Sequence, residues 1–186
     1  MTNEQAKELL PDSKLEMLVR DESMIISQLM RSSKGEELRP MLVLLENTEK
    51  GVERIVVALA GMQPGTGKHE YLRMIGESVS QQVPSVAAAF LVSEAWMSVI
   101  SPAEAWRAKQ GGLQPASKRP NRVEIATVVI RTLDGRGVSA MAEIKGQGVQ
   151  RVAGEWKFTS PSDYAKGEDN MLGSFFEGYS EGLSHD

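Results

Sequence analysis

The stretch 64–68, Pro-Gly-Thr-Gly-Lys, contains the residue types of a phosphate-binding loop. In such a loop the backbone N–H groups of glycines hold a phosphate and a lysine adds positive charge, at the point where a strand leads into a helix. A methionine replaces the first glycine of that motif, and His69 stands where a hydroxyl would hold Mg²⁺. We therefore expect a turn that caps the helix, with an anion site at Gly65, Gly67 and Lys68 as the alternative.

Glu94 and His69 are the weak candidates for a general acid and base. Such a pair works when the two groups lie within hydrogen-bond reach of the proton that is moved. Both residues are expected at the C-terminal edge of strands 53–60 and 86–97, where open α/β sheets usually bind ligands. We expect instead that Glu94 forms an ion pair with an arginine or lysine at the strand end and that Trp96 simply packs, with the acid–base couple and a ligand contact of Trp96 as the alternative.

A basic loop runs from Arg107 to Arg122 and also contains Lys109, Lys118 and Arg119. It includes one aromatic residue, Trp106, and lacks a repeating aromatic–basic pattern. We expect a solvated loop, and a phosphate or nucleic-acid contact, which would be salt-sensitive, is the alternative. The net charge of −4 does not suggest a general nucleic-acid binder.

These residues lie among strands and helices that the hydrophobic pattern predicts. The apolar run of residues 86–97 is typical of a central strand that is covered on both faces. Before it, the pattern predicts a hairpin with a loop of about five residues ending at Gly51. It also predicts a crossover helix, 68–83, with an apolar residue every four positions. Strand, helix and strand form a βαβ unit, and three antiparallel strands follow after residue 121.

The ends of the chain are predicted to be helical. Residues 1–35 form an N-terminal helical segment, 38–160 form the sheet with its crossover helix, and 163–184 form a C-terminal helix, all within one domain, 1–186. Three glycines, Gly173, Gly178 and Gly182, weaken the C-terminal helix by about 1 kcal/mol each relative to alanine. This helix must therefore be held by packing, on its own sheet or on another chain.

Composition excludes several classes of site. The chain has no cysteine and two histidines, one of them His185 next to the C-terminus, so we expect neither a metal site nor a cofactor. No apolar run approaches the ~20 residues that a membrane helix needs, and the polar N-terminus does not resemble a signal peptide, which favours a soluble, cytoplasmic protein. Ten methionines indicate irregular packing or an adaptable contact surface.

The strand end Ser-Glu-Ala-Trp-Met, 93–97, followed by Pro-Ala-Ser-Lys-Arg-Pro-Asn-Arg-Val-Glu, 115–124, resembles a motif pair in uncharacterised bacterial and phage-type proteins. In that set a strand ending in Ser-Glu-Ala-Trp precedes a Pro-Ser-x-x-Pro-x-Arg-x-Glu segment, and no activity is known. The resemblance implies that Ser93, Glu94, Trp96, Arg122 and Glu124 share one neighbourhood with Pro120. An ion pair between Arg122 and Glu94 would then be a structural reason for both motifs.

These observations together predict an α/β (α+β) fold, with a mixed, largely antiparallel sheet of about six strands, one βαβ unit and helices packed on the sheet. The preferred function is a non-catalytic binding or assembly protein that forms a homodimer. The alternative is a small-molecule or nucleotide-handling enzyme with Lys68, His69 and Glu94 at the strand edge. Nucleic-acid contact through the basic loop is a third, weaker hypothesis.

Overall fold

The computed structural model describes residues 8–59, 67–109, 114–160 and 171–184. Two single turns of 3₁₀ helix, Ala116–Lys118 and Gly148–Gln150, occur between the longer elements. Those longer elements are, in chain order, α1 (Asp12–Ser32), β1 (Met41–Thr48), β2 (Gly51–Ala58), α2 (Lys68–Ser80), β3 (Val86–Ser98), α3 (Pro102–Lys109), β4 (Arg122–Thr132), β5 (Gly137–Lys145), β6 (Val152–Phe158) and α4 (Met171–Leu183).

The six strands form one sheet in the order β2-β1-β3-β4-β5-β6. This confirms the predicted α+β fold with a sheet of about six strands. β3 lies inside the sheet and is fully buried from Val86 to Ser93, as its continuous apolar run predicted. Every neighbouring pair of strands is antiparallel, so the sheet is antiparallel throughout and not mixed.

The predicted βαβ unit takes a wider form in the structure. β2 and β3 run in the same direction, because each is antiparallel to β1, but β1 lies between them. The hairpin places β2 outside β1, so the connection through α2 must pass over β1 to reach β3. The β1–β2 loop is also tighter than the predicted five residues, because Thr48 already pairs with Gly51, whose φ is +116°.

One face of the sheet is covered by α1. Its buried residues Leu15, Val19, Ile26 and Met30 share an apolar core with even-numbered residues of β3 and β4, such as Phe90. The helix crosses β4, β5 and β6. Its apolar residues recur every three or four positions, which is the spacing that places them all on the side that faces the sheet.

The opposite face is covered by α2 and α4, which pack closely against each other. A Cβ atom at Gly178 would lie 2.0 Å from the carbonyl oxygen of Arg73, and one at Gly76 would lie 2.0 Å from that of Phe175. Glycine therefore permits an approach of the two backbones that no other residue allows. Of the two possibilities open at the sequence level, the structure shows that α4 packs on its own chain.

Candidate functional site

The Glu94 carboxylate is the centre of a largely buried ion-pair cluster. Its Oε1 accepts hydrogen bonds from the backbone N–H of Leu38 at 2.8 Å and from Nη1 of Arg151 at 3.0 Å. Its Oε2 accepts a third from Nη2 of Arg151 at 2.7 Å. The side chains of Glu94 and Arg151 are each only 10% exposed. A two-bond arginine–carboxylate pair of this kind fixes both the position and the orientation of the carboxylate.

Arg151 connects Glu94 to two further parts of the chain. Its Nη2 also lies 2.7 Å from the carboxylate of Glu124 on β4, and its Nη1 donates to the carbonyl of Glu36 at 3.5 Å. The hydrogen bond with Glu94 raises the pKa of Arg151, and the charges of Glu94 and Glu124 act in the same direction, so the guanidinium stays charged. The cluster thus fastens the α1–β1 connection and the β5–β6 connection to β3.

The predicted ion pair between Arg122 and Glu94 is wrong. Glu94 pairs with Ala126 across the β3–β4 ladder, whereas Arg122 pairs with Ser98, four residues further along. Four residues of strand separate them by about 13 Å, which is too far for an ion pair. The guanidinium of Arg122 instead lies 5.0 Å from the ring centre of Trp96 and donates to the carbonyl of Ser117.

Lys68 and His69 do not share a site with Glu94. Both are exposed at the start of α2, where Gly67 occupies the N-cap position, and Gly65 lies outside the described residues. His69 Nδ1 lies 2.8 Å from the hydroxyl of Ser174 on α4. Because α2 and α4 cover one face of the sheet and Glu94 points to the other, the proposed acid–base couple is not formed.

The far ends of β3 and β4 extend beyond their neighbours as a two-stranded ribbon. β1 makes its last pairing with β3 at Val92, and β5 makes its last pairing with β4 at Ile125. The pairs that continue past both neighbours join residues 96–98 to residues 122–124. We call these six residues, together with residues 99–109 and 114–121 of the connecting segment, the arm.

The arm carries exposed apolar and aromatic side chains. Trp96 is 43% exposed, and Trp106 on α3 is 63% exposed. Met97 and Val99 are also exposed. Large exposed apolar residues in one region mark an interaction surface more often than scattered single ones do. Two of the three tryptophans of the chain therefore lie on the arm and are exposed to solvent.

Arg119 of the arm is held by uncharged groups. Arg119 donates to the hydroxyl of Ser98 and to the carbonyl of Gln114, and Asn121 donates to the carbonyl of Val99. These bonds tie the connecting segment to the end of β3 and set the position of the guanidinium without neutralising it. The part of the connecting segment from Gln114 to Asn121 is therefore tied to the end of β3 and carries unneutralised positive charge.

Glu104 is the single acidic residue of the connecting segment. Its carboxylate accepts hydrogen bonds from the backbone N–H and the hydroxyl of Ser101 at 2.8 and 2.9 Å, which is a capping box at the start of α3. These two hydrogen bonds lower the pKa of Glu104, and the charges of Arg119 and Arg107 lower it further. Arg107 belongs to α3 itself, and the charge of Arg119 also acts on Glu104.

A shallow cavity of about 270 Å³ lies beside the Glu94 cluster, at the end of α1. Its lining includes the apolar residues Leu29, Met30, Leu38 and Met41 and the charged residues Glu36, Glu37 and Arg39. Within the described ranges, no group of three or more histidine, cysteine, aspartate or glutamate side chains is placed to hold a metal ion. In the same part of the chain, no helix is long and apolar enough to cross a membrane.

Comparison with known proteins adds no relative to this picture. No protein-family model, no curated protein and no solved structure matches the chain.

Proposed function

We propose that this chain is a non-catalytic binding or assembly protein whose contact surface includes the arm. The observation that carries the proposal is the projecting ribbon, in which exposed Trp96, Met97 and Val99 stand next to Arg122. Tryptophan, methionine and arginine are the residue types enriched at the centres of binding interfaces. The ribbon continues the β3–β4 ladder, so the sheet sets the direction in which Trp96 and Arg122 project.

The alternative, an enzyme that handles nucleotides or small molecules, has less support. A general base must have its carboxylate free to approach the substrate. Glu94 has both oxygens engaged by Arg151 and Leu38, and the exposed imidazole of His69 lies on the other side of the sheet. The groups that catalysis would require are thus separated or already in use.

Thermal unfolding with added phosphate, ATP or GTP tests the non-catalytic proposal. We expect no ligand-induced rise in Tm for the wild type. The shift, and not the absolute Tm, is compared between wild type, Lys68→Ala, Glu94→Gln and the control Lys50→Ala on the β1–β2 turn. A rise that disappears in the first two variants and persists in the control would favour the enzyme and contradict this proposal.

We also propose that the chain forms a homodimer through the outer surface of α1. Met17, Met24, Ile25 and Leu29 are exposed along this helix, and Val56 is exposed on the open edge strand β2. Methionine-rich apolar surfaces adapt readily to a partner, and a two-fold interface uses the same surface on both copies. The aromatic helix α4 no longer supports dimer formation, because its glycines pack against α2 of the same chain.

Sedimentation velocity at micromolar concentration tests the dimer. Met24→Glu should convert a dimer into a monomer, because a charge would be buried at the interface. Met74→Glu is the matched control, since Met74 is equally exposed but lies on α2. A strict monomer for the wild-type chain would refute the dimer and leave the binding role of the arm standing.

The resemblance of residues 85–130 to uncharacterised bacterial and phage-type proteins supports an origin in bacteria or phages, and we propose a cytoplasmic location. The resemblance implied that the residues of its two motifs lie close together. The Trp96–Arg122 contact and the pairing of both Glu94 and Glu124 with Arg151 are compatible with this.

A further inference from the structure

We propose that the arm binds single-stranded nucleic acid, with Trp96 stacking on a base and the arginines of the arm contacting phosphates. This inference rests on the proposed binding function and names its ligand. It depends on three features of the arm: its charge, its exposed tryptophans and its narrow shape.

The charge of the arm differs in sign from that of the rest of the chain. The arm contains five of the 21 basic residues and two of the 25 acidic residues, which gives +3, whereas the remaining residues carry −7. A net charge of −4 therefore conceals one strongly positive region. Positive side chains that release counterions from phosphates provide most of the sequence-independent affinity for nucleic acids.

This positive charge is available to a ligand. In the described parts of the arm, Arg107, Arg119 and Arg122 form no ion pair, since the recorded hydrogen bonds of the last two go to carbonyl and hydroxyl oxygens. Elsewhere in the fold, Arg54, Arg136 and Arg151 are paired with carboxylates, whereas Arg20 lies over the ring of Phe158. An anionic ligand would thus supply the partner that the arm arginines lack.

The tryptophans supply stacking surfaces of the kind that single strands use. Arg122 lies over the Trp96 ring at 5.0 Å, and this contact holds the indole in place while 43% of the residue stays exposed. Trp106 offers a second, more exposed ring on α3. Proteins that bind single strands combine a positive groove with aromatic side chains on which bases stack. The third tryptophan, Trp156, is instead tied to the hydroxyl of Ser27.

The shape of the arm favours a single strand over a duplex. The ribbon beyond the neighbouring strands is only three residue pairs long, and its aromatic group is a flat ring beside a guanidinium. A base can lie on such a ring only when it is not stacked inside a duplex. We therefore expect the arm to bind oligonucleotides with unpaired bases more tightly than duplexes.

Fluorescence anisotropy of a labelled 20-nucleotide poly-dT strand, a poly-U strand and a matched duplex tests the inference. For the wild type we expect both single strands to bind more tightly than the duplex at low salt. Trp96→Ala should weaken single-strand binding by about 5- to 150-fold, which is the effect of removing one base-stacking aromatic side chain. Trp96→Phe should retain most of the affinity, because phenylalanine also stacks on bases.

The salt dependence reports the phosphate contacts. Arg122→Ala and Lys118→Ala should each lower the slope of log K against log salt by about 0.7, the value for one phosphate contact on a single strand. The matched control is a second arginine–aromatic pair, Arg20 over Phe158, in which Phe158 lies on the edge strand β6. Arg20→Ala and Phe158→Ala should leave both the affinity and the slope unchanged.

Three results would overturn the inference. They are the absence of oligonucleotide binding at 50 mM salt, tighter binding of the duplex than of the single strands, and binding of polyglutamate as tight as that of poly-dT. The last result would assign the arm to an acidic protein partner. Each of these leaves the non-catalytic role to be decided by the nucleotide-dependent unfolding experiment.

Discussion

Replacing Arg151, which lies between β5 and β6, by alanine should destabilise the fold more than the same change at Arg122 of β4. The substitution removes two hydrogen bonds from Glu94 and one ion pair from Glu124. It leaves Glu94, 10% exposed, with the backbone N–H of Leu38 as its remaining recorded partner. Breaking a buried ion pair by removing one partner costs about 3–5 kcal/mol, because an uncompensated charge stays buried.

We expect a loss of about 3 kcal/mol, at the lower end of that range, because the Leu38 N–H still solvates the carboxylate. Urea unfolding followed by circular dichroism at neutral pH measures the change in free energy. Arg122→Ala is the matched control, since this exposed guanidinium contacts Trp96 and such a cation–π pair contributes about 0.5–1 kcal/mol.

A double variant, Glu94→Leu with Arg151→Met, tests whether the loss of stability comes from the unpaired buried charge or from the lost contacts. Apolar side chains in both positions remove the unpaired carboxylate, so the double variant should be more stable than Arg151→Ala alone. The reasoning is refuted if Arg151→Ala costs no more than Arg122→Ala, or if the double variant is less stable than Arg151→Ala.

Three other perturbations test the packing of the two helical layers. Gly178→Ala should destabilise the protein by about 1–3 kcal/mol in urea unfolding, because the new methyl group would lie 2.0 Å from the Arg73 carbonyl oxygen. An unchanged urea midpoint would contradict the close contact between α2 and α4. Arg54→Ala should cost about 3 kcal/mol by the same assay, because it removes the partner 2.5 Å from the buried carboxylate of Glu22, and Glu22→Gln should recover part of the loss. Burial raises the pKa of Tyr179 above the ordinary tyrosine value of about 10, so the unfolded chain ionises at a lower pH than the folded one. The stability that the neutral phenol provides is therefore complete below about pH 10 and is lost as the pH rises through the raised pKa. Tyr179→Phe should flatten this decline when the free energy of unfolding is measured across alkaline pH.

Local patterns along the chain determined the kinds of element and most of their order. The apolar run of β3 predicted a strand covered on both faces, and α1 on one side and α2 with α4 on the other provide that cover. Glycines marked the turns, as Gly51 and Gly135 show with φ values of +116° and +88°. These features were predictable because hydrophobic period and turn geometry depend on residues close together in sequence.

The candidate site was predicted less well, because its contacts join distant parts of the chain. Glu94 was identified as the acid whose partner mattered, but the partner is Arg151, which lies 57 positions further along. The motif pair suggested Arg122 instead, because proximity of two motifs does not specify strand register. The register places Arg122 opposite Ser98 and so next to Trp96. Nothing in the local pattern around Arg151 distinguishes it from a solvated arginine.

The sequence by itself determined an α+β chain with a buried central strand, a hairpin, an antiparallel meander and a glycine-bearing apolar helix. Only the tertiary structure decided that β1 separates β2 from β3, that α4 packs on α2, and that Glu94 and His69 lie on opposite faces of the sheet. It also showed that β3 and β4 extend past their neighbours into an arm. The physical reason is that a residue's secondary structure depends on its neighbours in sequence, whereas strand order, register and ion-pair partners depend on which distant surfaces pack together.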